Sequence, residues 1–165
     1  MRLIAAMAFA AVVGLSAPAA AQDINGFFGR LGGAWSGSGT VKTDPAAAAG
    51  ATTCRLSGTP AGQQVTITGS CDGAAQGAQL SVVLRYSDAT RDFVGTFQGG
   101  TERGTASLSG RLTGNTLSMR VTSESGETSL LALTFVGAEQ IALKVSGKDK
   151  GGKTVDYVSL ALRKS

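Results

Sequence analysis

The feature that most constrains the fold of this chain is a two-residue alternation of side chains that begins near Gly33 and continues to the C-terminus. In the first alternating segment, Trp35 and Val41 share odd-numbered positions with glycines, whereas the even-numbered positions from Ser36 to Lys42 are all polar. A period of two places successive side chains on opposite faces of a β-strand. Trp35, the only tryptophan, is therefore predicted to face the core at the head of the first strand.

Similar alternating segments recur at spacings near ten residues, with turns rich in Gly, Asn, Asp and Ser between them. Short connections favour antiparallel neighbours, and closure of a sheet on itself removes its exposed edges. The sequence predicts an all-β fold, an antiparallel up-and-down β-barrel or curved meander of about 8–10 strands. A two-sheet β-sandwich is the alternative. In the last strand the alternation slips between Val155 and Val158, which predicts a β-bulge near Asp156–Tyr157.

Residues 1–21 have the pattern of a secretory signal peptide. Arg2 supplies the positive charge, Leu3–Leu15 is apolar but too short to span a bilayer, and Ala19–Ala21 offers a small-residue cleavage site. We therefore expect a signal peptide at 1–21, a single barrel domain at 22–165, and a periplasmic or secreted location. A membrane-spanning barrel is disfavoured, because aromatic residues make up 5% of the chain and cannot form two interfacial girdles.

The segment Asp23–Leu31, between the predicted signal and the first strand, carries Phe27, Phe28 and Leu31. Their spacing fits one helical turn or a short 3₁₀ segment with one apolar side. We expect this segment to close one end of the β-structure.

Cys54 and Cys71 are the only cysteines, and two cysteines in an exported chain predict one disulfide. A hairpin centred between Gly62 and Gln63 places the two directly opposite each other on the core face. Two thiols do not complete a zinc site, and the chain has no histidine to add. Neither a metal nor a cofactor is predicted.

The charge pattern and the lack of histidine disfavour several function classes. The formal net charge of +4 comes from singly scattered residues, without the basic and aromatic clusters that nucleic-acid binding requires. A catalytic triad with histidine is excluded, and we expect the protein not to be an enzyme.

One stretch, Gly147–Thr154, matches the P-loop pattern of nucleotide-binding proteins. That motif needs a helix after the loop, whereas the residues that follow Thr154 alternate like a strand. We interpret the stretch as a lysine-rich hairpin loop and predict no nucleotide binding.

The sequence Gly33-Ala34-Trp35 resembles the G-x-W motif of lipocalins and the wider calycin group. The resemblance implies a barrel whose floor is closed by Trp35, and an arginine on a late strand that packs across the indole. Arg163 is the candidate for that arginine. The long loop after the first strand is similar to a lipocalin lid.

The chain is also similar to the small periplasmic metalloprotease inhibitors, which share export, a single disulfide and an early tryptophan. That resemblance implies an N-terminal segment, here Gln22–Phe28, that enters a protease cleft. As a whole, the chain resembles small exported β-proteins of Gram-negative bacteria.

Two functions are compatible with these features. The first is a binding module for a small apolar ligand, held inside the barrel by a set of inward-facing residues. Inward glycines such as Gly37 and Gly39 are expected to leave space for the ligand. The second is a protease inhibitor or envelope interaction protein that acts on a protein partner through its surface. The candidate ligand-binding residues are Trp35, Leu84, Phe93, Phe97 and Met119.

Overall fold

A computed structural model describes residues 23–99 and 104–165; the predicted signal peptide at 1–21 and the connection at 100–103 lie outside the described residues. These described residues form one helix and ten strands. They are α1 (Ile24–Leu31), β1 (Gly33–Val41), β2 (Gly50–Pro60), β3 (Gln64–Gly73), β4 (Ala78–Ser87), β5 (Asp92–Gly99), β6 (Gly104–Thr113), β7 (Thr116–Ser123), β8 (Thr128–Phe135), β9 (Gln140–Lys148) and β10 (Thr154–Lys164).

Each strand pairs antiparallel with the next one in the chain, and β1 pairs with both β2 and β10, so the sheet closes into a barrel. The predicted up-and-down β-barrel is confirmed, and the two-sheet alternative is wrong because there is one continuous closed sheet. We call the end where β1 begins and β10 finishes the lower end. The opposite end, the upper end, carries the loops 42–49, 74–77, 124–127 and 149–153.

Helix α1 closes the lower end of the barrel. The Asp23 carboxylate caps it by accepting the Gly26 N–H at 2.8 Å, and Phe27, Phe28 and Leu31 are 5%, 0% and 2% exposed. The Phe27 ring packs edge-on against Phe93, with 5.2 Å between the ring centroids. The predicted helical plug is confirmed.

Trp35 connects this plug to the barrel wall. Its indole Nε1 donates a buried hydrogen bond to the carbonyl oxygen of Leu31. Lys164 is the β10 partner of Trp35, and its Nζ lies 5.5 Å from the indole centroid. The assignment of Arg163 to this role is wrong, because side chains alternate along β10 and Arg163 is exposed opposite Ser36 on the outer face.

The hairpin of β2 and β3 carries the predicted disulfide. Cys54 and Cys71 are register partners, their sulfur atoms are bonded, and their side chains are 0% and 7% exposed. The bond therefore joins neighbouring strands on the core face, as the hairpin alignment predicts.

Two glycines of β1 act differently from the expectation that they leave cavity space. A Cβ at Gly37 would overlap the carbonyl oxygen of Ala161, and one at Gly39 would overlap that of Ser159. Both oxygens belong to β10, the neighbour of β1 in the closed sheet. These glycines therefore permit close approach and sharp bending of adjacent strands, which closure into a barrel requires.

Candidate functional site

The interior of the barrel contains a cavity of ≈ 360 Å³ above helix α1. Among the described residues, every side chain that lines it is apolar, apart from the indole N–H of Trp35, which is already bonded to Leu31. The lining residues are Leu31, Trp35, Val41, Cys54, Leu56, Ile67, Cys71, Ala75, Ala78, Leu80, Val82, Leu84, Phe97, Leu108, Leu117, Met119, Val121, Leu131, Leu133, Ile141, Leu143, Val145, Val158, Leu160 and Leu162.

The number of strands explains why side chains do not fill the interior of the barrel. Barrel diameter grows with strand number, and about eight strands already give an interior that is either filled by side chains or able to hold one small ligand. Ten strands enclose a wider interior. The inward residues are mostly Leu, Val and Ile, which are too short to meet across it along its whole length.

The cavity is closed below and faces the upper end. Leu31, Trp35 and Leu117, which line its lower part, are at most 4% exposed. Val41 and Val158, which line its upper part, are only half-buried. Of the described residues in the upper loops, Ala75 is the one that reaches the lining. A ligand would therefore enter from the upper end.

Four of the five predicted ligand-binding residues, Trp35, Leu84, Phe97 and Met119, line this cavity. Phe93 is 1% exposed and is absent from the described lining; its ring packs instead against helix α1 and Tyr86. The strand period identifies the inner face but does not give the height of a residue along the barrel axis. Phe93 lies near the start of β5, at the level of the plug, whereas Phe97 lies four residues higher.

Sequence reasoning did not assign the disulfide to the cavity wall, yet both Cys54 and Cys71 line it. The signal was present, since both cysteines share the inner face of the β2–β3 hairpin. Leu31 is a further lining residue outside the predicted set, contributed by the plug and not by a strand.

The chemistry available inside the cavity is confined to apolar contact. No titratable side chain belongs to its described lining, and residues 23–99 and 104–165 contain no group of three or more His, Cys, Asp or Glu that could hold a metal ion. Apolar cavities of this kind exclude water and accept apolar guests. Binding here would draw on hydrophobic burial and dispersion contacts.

A second concavity, of ≈ 570 Å³, lies on the outer wall and crosses β6 to β9. Arg111 Nε pairs with Asp92 at 2.6 Å, and Lys144 Nζ pairs with Asp156 at 2.8 Å. The hydrogen bond and the charge of Asp92 raise the pKa of Arg111 above its ordinary value. Exposed ion pairs of this kind contribute little to the free energy of folding. Arg111 and Lys144 already have carboxylate partners on the outer wall.

The stretch that matches the P-loop pattern is the hairpin between β9 and β10. Asp149 Oδ1 accepts the N–H groups of Gly151 and Lys153, each at 2.9 Å. These loop amides are bound to the chain's own carboxylate, and β10 follows directly. The interpretation as a hairpin loop is confirmed.

The fold and its interior define the class of the molecule as a closed ten-stranded up-and-down β-barrel with an apolar cavity. No protein-family model and no curated protein matches the chain. Among solved structures, the chain is similar to the crystal structure of Rv2717c from M. tuberculosis, with a TM-score of 0.65 and 14% sequence identity. The match covers 87% of this chain and 98% of that one, and at this identity it concerns the fold alone.

No helix within the described residues is long and apolar enough to cross a membrane.

Proposed function

We propose that the protein binds a small apolar ligand inside the barrel. The observation that carries this proposal is the combination of a preformed interior space of ≈ 360 Å³ with a described lining that is apolar throughout. An apolar cavity of ~150 Å³ in a protein core is large enough to bind benzene. The cavity of this protein is more than twice as large, so it has room for a guest roughly twice the size of benzene, such as a fused-ring hydrocarbon or a medium-length alkyl chain.

Burial of the guest supplies the binding free energy. Each Å² of apolar surface removed from water contributes ~25 cal/mol, from which the loss of ligand freedom is subtracted. The barrel wall is continuous and the lower end is closed by α1, so little ordering of the protein is needed on binding. A periplasmic or secreted location is part of the proposal, and the Cys54–Cys71 disulfide is compatible with it.

The test is a titration of the purified protein with N-phenyl-1-naphthylamine, a neutral fluorophore that brightens in apolar surroundings. We expect saturable binding of one probe per barrel. Ala78→Phe places a large side chain in the cavity and should weaken binding about tenfold or more, which corresponds to ~1.4 kcal/mol.

Ala161→Phe is the matched control, because Ala161 is exposed on the outer face of β10. It should leave probe binding unchanged. Failure of the folded protein to bind the probe saturably, or equal effects of the two substitutions, would contradict the proposal.

Action as a protease inhibitor through Gln22–Phe28 receives less support. Phe27 and Phe28 are buried in the plug, and insertion of this segment into a protease cleft would remove both rings from their contacts. Inhibition of a secreted metalloprotease by the intact protein, lost on Phe27→Ala without unfolding, would favour this function instead.

A further inference from the structure

The β-bulge in β10 re-aims one aromatic side chain near the upper end of the barrel. The register of β10 with β9 shifts between Asp156 and Val158, so Tyr157 is the extra residue. The ring of Tyr157 lies so close to Gly147 that a Cβ there would be 2.8 Å from Tyr157 Cε2. Gly147 has the same strand parity as the lining residue Val145, which places the ring on the inner side. Bulges commonly re-aim a side chain in this way.

Four lysines lie in the segments next to this position, two of them at the outward parity at the ends of β1 and β9 and two in the hairpin loop. Lys42 directly follows the lining residue Val41, and its backbone N–H donates to the carbonyl oxygen of Tyr157 at 2.7 Å. Lys148 ends β9 and donates through Nζ to Thr154 Oγ1 at 2.7 Å, while Lys150 and Lys153 follow in the hairpin loop. Within the described chain, no carboxylate forms an ion pair with any of these four ammonium groups.

The acidic side chains of the upper end are bonded within their own loops, paired with a lysine, or further along the rim: Asp156 pairs with Lys144, and Asp72 lies at the top of β3. Asp44 Oδ1 accepts the Ala46 N–H at 2.8 Å, and Asp149 accepts two amides of its own hairpin. Glu124 and Glu127 belong to the next loop, at 124–127, and offset the total charge of this end. The segments 42–49 and 148–157 nevertheless carry four lysines without an ion pair against three carboxylates: Asp44 and Asp149, which cap turns, and Asp156, which is paired with Lys144 on the outer face.

We infer that the ligand is an amphiphile with one hydrocarbon tail and a small anionic head group. This inference rests on the proposed function. The tail fills the cavity, which offers no partner for a polar group, and burial of an unpartnered charge there is strongly unfavourable. The lower end is closed, so the head group remains at the upper end, beside Tyr157 and the lysines.

The preferred charge of the head group is determined by competition. Decanoate, decanol and decylamine have the same tail length and differ in head-group charge, and the affinity of each is measured by its displacement of N-phenyl-1-naphthylamine. We expect decanoate to bind most tightly and decylamine most weakly, with a difference that shrinks as salt is added. The double substitution Lys150→Gln and Lys153→Gln should weaken decanoate binding about threefold to fivefold, in the range of exposed charge pairs, and leave decanol unchanged.

Arg163→Gln removes one positive charge at the lower end and should leave all three affinities unchanged; the single variants Lys150→Gln and Lys153→Gln are compared with it. Tyr157→Phe should weaken decanoate binding while leaving binding of the neutral probe intact. Equal binding of the three amphiphiles, preference for decylamine, or displacement by none of them would overturn the inference while probe binding still upholds the proposed function. If the probe itself does not bind, the proposed function fails.

Discussion

The indole Nε1 of Trp35 donates a hydrogen bond to the carbonyl oxygen of Leu31 over 3.1 Å, in a buried environment. Leu31 ends the helix that closes the barrel, and Trp35 lies at the start of the first strand. Helix ends leave carbonyl groups without an internal partner, and this bond satisfies one of them. The lone tryptophan therefore fixes the plug to the wall, besides lining the cavity.

Trp35→Phe keeps an aromatic ring but removes the N–H donor. We expect it to lower the free energy of unfolding by about 1–3 kcal/mol, because the Leu31 carbonyl is left buried without this partner. Urea denaturation followed by circular dichroism measures the change. Ser36→Ala, on the outer face of the same strand, is the control and should have little effect. Equal stabilities of the two variants would show that the bond contributes nothing.

Phe28→Ala should destabilise the protein more than Phe97→Ala. Phe28 is 0% exposed and packed in the plug, so its truncation is expected to lower the free energy of unfolding by about 3–5 kcal/mol. Phe97 borders the existing cavity, and one side of its ring therefore has fewer contacts to lose. Parallel urea melts give the comparison; a larger loss for Phe97 would mean that the cavity is closed up in solution.

Gly37→Ala should be destabilising by about 1–3 kcal/mol, the range of overpacking, because the new methyl group meets the carbonyl of Ala161. Gly137→Ala is the control, since a Cβ at that position meets no atom within 4 Å. Thermal or urea melts of the two variants test the difference. A tolerated methyl at Gly37 would argue against tight contact between β1 and β10.

Occupancy of the cavity should slow reduction of the disulfide. Both sulfur-bearing side chains line the cavity and are at most 7% exposed, so a small reductant reaches them most directly through the interior. Dithiothreitol reduction, followed by alkylation and mass spectrometry, should be slower with saturating N-phenyl-1-naphthylamine than without it. Identical rates would place the reductant's approach elsewhere.

The disulfide also contributes to stability. Replacement of both Cys54 and Cys71 by alanine should lower the free energy of unfolding by about 3 kcal/mol, as expected for a closed loop of this size. The comparison is made by urea denaturation under oxidising conditions. If the double variant is as stable as the parent, the bond serves another purpose than constraint of the unfolded chain.

The alternation of side chains was sufficient to predict the strands, their inner faces, the disulfide register and the bulge near Tyr157. It did not distinguish Phe93 from Phe97, because parity is a local property and height along the barrel depends on how all ten strands are staggered. The width of the interior likewise depends on closure, which no single strand encodes. The role of Gly37 required the position of β10, which is distant in sequence from β1.

Closure of the sheet also bears on how the chain can fold. The last seam joins the first strand to the final one, with Trp35 opposite Lys164, so it cannot form until nearly the whole chain is available. Non-local pairing of this kind is slow and leaves strand edges open to wrong partners in the meantime. The β2–β3 hairpin, by contrast, is local and can be crosslinked early. The first and last strands of this barrel therefore meet last.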